Sequence, residues 1–289
     1  MELSGSRVLV TGGSRGIGEA LARRFAAAGA RVALVARTER AIEELAAELG
    51  GTAHAADLAD PGQVPGLVER IEAEGGPVDV LVNNAGIEGL GAFDTQSPEA
   101  LETIYRVNLV APAELTRQAL PGMLRRGRGH IVNISSLAGT AVFPGMASYS
   151  STKAGLSQLT AGLRADLRGT PVGTTLVELG PIPTEMLARV DGCEPARASF
   201  RRLYRLGLLV DVDRETVART VVDAVAAGRR HVRHPKRAIV FPMLTEAPRR
   251  TVELLLTGVR SRDEVAPEGA TVIDLRDDRA AGLGQESPH

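Results

Sequence analysis

Over the first 180 residues the chain alternates between two hydrophobic periods. Short aliphatic or β-branched runs occur at Arg7–Thr11, Arg31–Ala36, Thr52–Ala56, Val78–Val82, Gly129–Ile134 and Val172–Glu178. Their near-continuous apolar character is that of parallel strands covered on both faces. Between them lie stretches of helical period, such as GEALARRFAAAGA and RAIEELAAELGG. In the first, Ala20, Leu21, Arg24, Phe25 and Ala28 share helical spacing and Gly29 closes the helix, since a helix C-terminus favours a residue free to take positive φ. In the third crossover, Asp60 followed by Pro61 predicts a helix start, with proline at the first helical position. Six strands alternating with helices predict an α/β fold, a doubly wound parallel sheet of six to seven strands with helices on both faces.

After residue 180 the pattern loosens. A Pro-rich link, GPIPTEM, leads into an Arg-rich amphipathic stretch from Arg197 to Leu209, and then a helix, RETVARTVVDAVAAG, ended by Gly228. A short seventh strand is expected at Ala238–Phe241 and an amphipathic helix at Pro248–Leu256. Residues 261–289 mix Pro, Gly and charge and read as a loose C-terminal tail behind a single domain of residues 1–260.

Composition narrows the class. The 289 residues carry 34 basic and 35 acidic side chains, a net charge of −1, with 44% hydrophobic and 24% charged positions. Those proportions exclude a disordered chain and argue against a protein built to coat nucleic acid. One cysteine, Cys193, excludes an internal disulfide and a cysteine-based zinc site. Neither a secretory signal nor a run of about 20 apolar residues is present, so a cytoplasmic location is expected. His54, His130, His231, His234 and His289 share no metal-ligand spacing, and no metal is expected. His231 and His234, in RRHVRHPKR, read as a solvated basic loop. Lysine is scarce, only Lys153 and Lys236 among the 34 basic residues, which invites a chemical reason for each.

The first strand runs through TGGSRGIG, Thr11–Gly18, directly into a helix. Gly12, Gly16 and Gly18 allow a tight turn and let backbone N–H groups approach an anion at the helix N-terminus. An acid at the end of the second strand would accept hydrogen bonds from a ribose; this chain has Ala36 and then Arg37. With Arg15 in the loop, two guanidinium groups suit a 2′-phosphate. YSSTK places Tyr149 and Lys153 four residues apart on one helical face, where an ammonium near a phenol favours the phenolate. Ser136 ends the fifth strand in NISS, 13 positions before Tyr149; Ser135, by strand alternation, points to the other face.

With NNAG at Asn83–Gly86 and Asn108 in YRVNLVAP, these motifs resemble the short-chain dehydrogenase/reductase family, in its shorter single-domain branch with a Rossmann fold. The resemblance covers residues 6–241. It implies an NADP(H)-dependent oxidoreductase that interconverts a carbonyl and an alcohol by hydride transfer. In that reading Tyr149 is the general acid/base, Lys153 lowers its pKa and binds the nicotinamide ribose, Ser136 orients the carbonyl, and Asn108 holds a relay water. The cofactor would lie along Gly12, Ser14, Arg15, Gly16, Ile17, Gly18, Arg37, Asp57, Leu58, Asn84, Ala85, Gly86, Tyr149, Lys153, Pro181, Ile182 and Thr184. Asp57 matches the position that bonds the adenine amino group, and Gly180–Thr184 the segment that closes over the nicotinamide, with Leu179 replacing the usual proline.

The resemblance makes residues 185–210 the substrate-covering segment. Met186, Leu187, Phe200, Leu203 and Tyr204 suggest apolar walls for a hydrophobic ketone or aldehyde, and Cys193 is either part of them or an inert buried thiol. The resemblance also implies a homodimer or homotetramer, since helices in the positions of 99–125 and 152–168 form the subunit interface in many members of that family. Residues 197–237 hold eleven basic side chains against four acids. They read as a solvated face, a basic rim drawing in an anionic substrate, or a membrane-surface contact aided by FPMLTEAPRRTVELLL. A second reading makes the chain a non-catalytic nucleotide-sensing or interaction protein that uses that basic stretch.

Overall fold

The computed structural model describes residues 1–236 apart from 142 and 191, together with 243, 247 and 251. Seven strands form one parallel sheet in the order β3-β2-β1-β4-β5-β6-β7. They are β1 (Arg7–Thr11), β2 (Arg31–Ala36), β3 (Thr52–Ala55), β4 (Val80–Asn83), β5 (Gly129–Ser136), β6 (Val172–Leu179) and β7 (His231–His234). The sequence places the first six to within two residues at either end. The helices are α1 (Gly16–Ala27), α2 (Glu39–Leu49), α3 (Leu67–Gly75), α4 (Pro98–Tyr105), α5 (Ala111–Arg125), α6 (Ala147–Asp166), α7 (Glu185–Val190), α8 (Glu194–Arg205) and α9 (Arg214–Ala226). A single π turn, Arg106–Val110, joins α4 to α5.

Strand alternation divides the apolar core. Val8, Val10, Val32, Leu34, Val132 and Val177 pack with α1, α2 and α9, while Leu9, Ala33, Val35, Leu81 and Ile131 pack with α3 and α5. This is the Rossmann arrangement, with helices on both faces of the sheet. Because β1 is flanked by β2 on one side and β4 on the other, the order in which strands are added switches from one edge of the sheet to the other there. A crevice opens at the C-terminal ends of β1 and β4, the place where doubly wound sheets bind ligands.

Three expectations change. The seventh strand is HVRH at 231–234, paired in register with Leu176–Leu179 of β6, so His231 and His234 are not in a solvated loop and His234 is buried. Residues 238–241 and most of 248–256 lie outside the described residues, as does the tail at 261–289. A compact unit spans Met1–Thr257. Asp60 does not start a helix. Its carboxylate accepts from the Gly62 N–H and Gln63 side chain in a tight turn, and α3 begins after Gly66, whose φ is 68°.

Two buried polar groups show how the frame is tied. Arg7 donates to the carbonyl of Ile71 within α3 (2.7 Å) and to that of Gly76 just past its C-terminal end (2.6 Å), where a cation favours the helix terminus. His130 Nε2 lies 2.7 Å from Thr175 Oγ1, and that hydroxyl donates to the Arg229 carbonyl. Thr175 has one proton, so His130 is the donor in their bond. Burial pushes the imidazole down to about 4.

A histidine depressed in the fold stays neutral there and takes its proton on unfolding. Its contribution is therefore complete above pH ~6.5 and is lost as pH falls towards 4, about 3 kcal/mol in all. Chemical denaturation at pH 7.5 and pH 5 should show the wild type losing about 2 kcal/mol more than His130→Gln. Equal losses would assign the acid sensitivity elsewhere.

Candidate active site

The loop after β1 folds back over β2, with the Gly12 N–H donating to the Val35 carbonyl at 2.7 Å. Gly12 and Gly16 have φ of 65° and 60°, conformations that a side chain disfavours. A Cβ on Gly18 would lie 2.1 Å from the Gly12 carbonyl oxygen and 2.5 Å from Asn84 Nδ2. Arg15 occupies the N-cap of α1 and supplies no side-chain cap, so the first turn presents N–H groups to the crevice. These features fit an anionic pyrophosphate.

NNAG locks this loop from the other side. Asn84 Nδ2 donates to the Thr11 and Gly12 carbonyls (2.9 and 3.2 Å), and the Asn84 and Ala85 N–H groups donate to Thr11 Oγ1. The Asn84 side chain thus shapes the cradle, and Thr11, not singled out in the sequence, is the hydroxyl that joins β1 to β4. Asn83 is buried and donates to Asn133 Oδ1 at 2.8 Å. Arg15 and Arg37 are exposed beside the loop and the end of β2. Asp57 Oδ1 accepts from the Ala59 N–H at 2.9 Å, and Leu58 is buried.

Beyond β6 the Gly180 N–H donates to the His234 carbonyl and the Val212 N–H to that of Pro181, while Ile182 is buried. The Thr184 methyl lies 3.7 Å from the position of a Cβ on Gly16, so the end of this segment approaches the glycine loop. Leu179 is compatible with that shape: its carbonyl accepts from Ser136 Oγ at 3.2 Å.

Ser136, Tyr149, Lys153 and Asn108 come together at the end of β5, on α6 and in the π turn. Ser136 lies near enough to the Tyr149 phenol to lower its pKa, and its hydroxyl accepts from the Ala138 N–H. Lys153 Nζ is 5.7 Å from the Tyr149 ring centroid and donates to the Ile134 carbonyl at 3.0 Å. A Cβ on Gly86 would lie 3.3 Å from Asn108 Oδ1 and 3.4 Å from Lys153 Nζ, so the glycine's bareness keeps this corner open. Ser135 is on the other face, where its hydroxyl donates to the Lys153 carbonyl and helps anchor α6.

Burial governs the electrostatics of this pair. Burial pushes the Tyr149 phenol up, against a lowering by Ser136, while Glu88 nearby raises it further. Burial also lowers Lys153 to about 8. Asn108 is fully buried; its Nδ2 donates to the Ile87 carbonyl and Thr152 Oγ1, and its Oδ1 accepts from the Ile87 N–H. The side-chain amide therefore clamps the chain after NNAG, with only one Oδ1 lone pair left for a water.

Next to this corner, Phe143, Met146, Val190, Cys193, Ala196 and Leu209 form an apolar cluster with Tyr149, Leu187, Phe200, Leu203 and Tyr204 against it. The Phe143 and Phe200 rings stand 5.2 Å apart. Cys193 belongs to this cluster, buried at the start of α8. The Met186 side chain lies outside what is described. The basic stretch is spread over α8, α9 and β7: Arg197 and Arg201 pair with Glu194, and Arg233 forms a buried pair with Glu178 at 2.6 Å. Among the described residues no helix is long and apolar enough to cross a membrane.

The family model for short chain dehydrogenase matches residues 6–193. A short chain dehydrogenase of Pseudocercospora fijiensis is 39% identical over 203 residues, 68% of this chain and 65% of the relative. The chain thus spans just under two thirds of that relative's length. The NADP-dependent 3-hydroxy acid dehydrogenase YdfG of Escherichia coli K12 is 38% identical over 176 residues, 60% of this chain and 71% of the relative. Among solved structures, a short-chain dehydrogenase from Sphingobium yanoikuyae in complex with NADPH is 27% identical with a TM-score of 0.73, covering 90% of this chain and 98% of that one. Motifs, topology and these likenesses agree, and the chain belongs to the short-chain dehydrogenase/reductase family.

Proposed function

We propose that this protein is a cytoplasmic NADP(H)-dependent oxidoreductase that interconverts a carbonyl and an alcohol. The observation that carries the reading is the convergence of Ser136, Tyr149, Lys153 and Asn108 on the open corner beside Gly86, at the switch point of the sheet. The loop N–H groups around Gly12, Ser14, Gly16, Ile17 and Gly18 would hold the pyrophosphate. Arg15 and Arg37 would hold the 2′-phosphate, and Asp57 and Leu58 the adenine. Asn84, Ala85 and Gly86 would line the adenosine side, and Pro181, Ile182 and Thr184 would cover the nicotinamide. The bound cofactor supplies a hydride acceptor or donor; the remaining chemistry is a proton transfer that belongs to the chain.

Ser136 orients the carbonyl oxygen and Tyr149 gives or takes its proton. A phenol raised by burial keeps its proton at neutral pH and so has one to give to a carbonyl oxygen. Lys153, with a pKa near 8, remains mostly an ammonium at pH 7 and would hold the nicotinamide ribose. Asn108 fixes the Ile87 backbone beside it, and its free lone pair suits a relay water. The apolar cluster around Phe143 and Phe200 suits a hydrophobic ketone or aldehyde. Exposed Tyr105 and Val110 support self-association through the helices at 99–125.

Thermal unfolding with NADPH, NADH or neither tests the cofactor. A ligand present at ~100 times its dissociation constant adds about 2.7 kcal/mol, so NADPH should raise Tm and NADH should not at the same concentration. In Arg37→Ala the NADPH shift should shrink. A shift with NADH alone would overturn the assignment of Arg15 and Arg37, and none with either would favour the non-catalytic reading.

A further inference from the structure

One acid beside Tyr149 enters the account above only through its effect on the phenol. Glu88 follows directly on Ile87, whose N–H and carbonyl are both clamped by Asn108. On its other side, a Cβ on Gly89 would lie 2.4 Å from Ser148 Oγ and 2.5 Å from Ile104, so the backbone is pressed against the start of α6. Two residues further, the Gly91 N–H donates to the Gly145 carbonyl. Glu88 is thus held on a rigid stretch close enough to Tyr149 for its charge to act on the phenol. Its side chain is only 10% exposed, and Oε1 accepts from the Arg189 guanidinium of α7 at 2.8 Å.

A carboxylate so nearly removed from water requires a cation or strong donors. The cation comes from α7, one residue before Val190 of the apolar cluster against which Tyr149 packs. We infer that Glu88 is a positioning and specificity residue: its pairing with Arg189 fastens α7 across the substrate pocket, and its fixed negative charge selects substrates that are uncharged near the reacting carbonyl. The attraction draws the covering helix against the crevice wall. The same charge repels a substrate carboxylate brought to the same place. This rests on the oxidoreductase reading for its second half only.

The test uses the full chain as wild type, Glu88→Gln, Arg189→Gln, and the exchanged pair Glu88→Arg with Arg189→Glu. Hydrogen exchange is followed at the amides of residues 185–190, and NADPH-dependent reduction is measured for an uncharged keto ester and its keto-acid anion. In each single variant, exchange at α7 should rise about tenfold, and the exchanged pair should restore protection. The wild type should favour the ester, Glu88→Gln should lose about tenfold of that preference, and the exchanged pair should favour the anion, a reversal that packing alone does not produce.

Unchanged exchange in both single variants overturns the fastening. A preference unaltered in Glu88→Gln, or a wild type that favours the anion, overturns the charge selection. A wild type that reduces neither compound nor any carbonyl in a screen overturns the oxidoreductase reading, while exchange still decides the fastening.

Discussion

Tyr149→Phe will lose at least about a thousandfold in kcat, because in the proposed mechanism its hydroxyl supplies the proton to the carbonyl oxygen. The substitution removes one oxygen and leaves the ring among Phe143, Met146 and Phe200, so stability should change little. The cofactor cradle is built from Gly12, Gly18, Thr11 and Asn84 on other elements, and the Tm increase with NADPH should persist. The pair of readouts separates chemistry from binding: turnover within tenfold of wild type would remove Tyr149 from the mechanism, whereas loss of both would mean that the hydroxyl holds the site together.

Gly18→Ala carries the second large effect. The added methyl would meet the Gly12 carbonyl at 2.1 Å and the Asn84 amide at 2.5 Å, both backbone or tightly bonded groups that cannot swing aside. Relief requires the loop to open away from β4, undoing the bonds from Asn84 to Thr11 and Gly12. We expect a stability loss of about 1–3 kcal/mol, disappearance of the NADPH-induced Tm shift, and a fall in kcat/KM of at least about a hundredfold. Gly162→Ala, on α6 where nothing lies within 4 Å of the added carbon, is the matched control and should be neutral or stabilising by up to about 1 kcal/mol. A normal NADPH shift in Gly18→Ala would show that the cradle does not hold the pyrophosphate.

Much of this architecture is legible in the residues because central parallel strands must be apolar on both faces. The runs at Val8–Val10 and Val32–Val35 therefore announce themselves, as does the glycine loop. The seventh strand escapes that logic. His231, Val232, Arg233 and His234 form a short outer strand whose polar members find partners across the chain, Arg233 in Glu178 and Arg164 near His231. Its composition reads as a basic loop, while the more aliphatic AIVF downstream attracts the prediction. Asp60–Pro61 carries a helix-start signal, but the bonds it makes within its own turn win.

The candidate site divides in the same way. Tyr149, Lys153 and Ser136 stand at fixed separations on predictable elements, so spacing finds them. Glu88, Arg7 and the His130–Thr175 pair depend on what lies opposite after folding, from residues 45–101 positions away, and no local pattern encodes that. An acid one step beyond NNAG and Ile87 was the single available hint for Glu88. The effect of burial on the tyrosine was equally invisible, since Lys153 in the right turn of helix says nothing about which acceptor its ammonium chooses.

The bonds between Thr11 and Asn84 join parts of the chain separated by 73 residues. The glycine loop alone is half a receptor, and the other half emerges from the ribosome only after three further strands and their crossovers have been made. Closing so long a loop is entropically slow work that must precede any reward from the cofactor. A nascent chain therefore gains nothing from the nucleotide while its first two strands pair. Once the fourth strand docks, a nucleotide bound as proposed would span both sides of the seam and resist its reopening. Ligand stabilisation in this protein thus accrues to the rate of unfolding and the lifetime of the finished sheet, and leaves the speed of assembly to the chain itself.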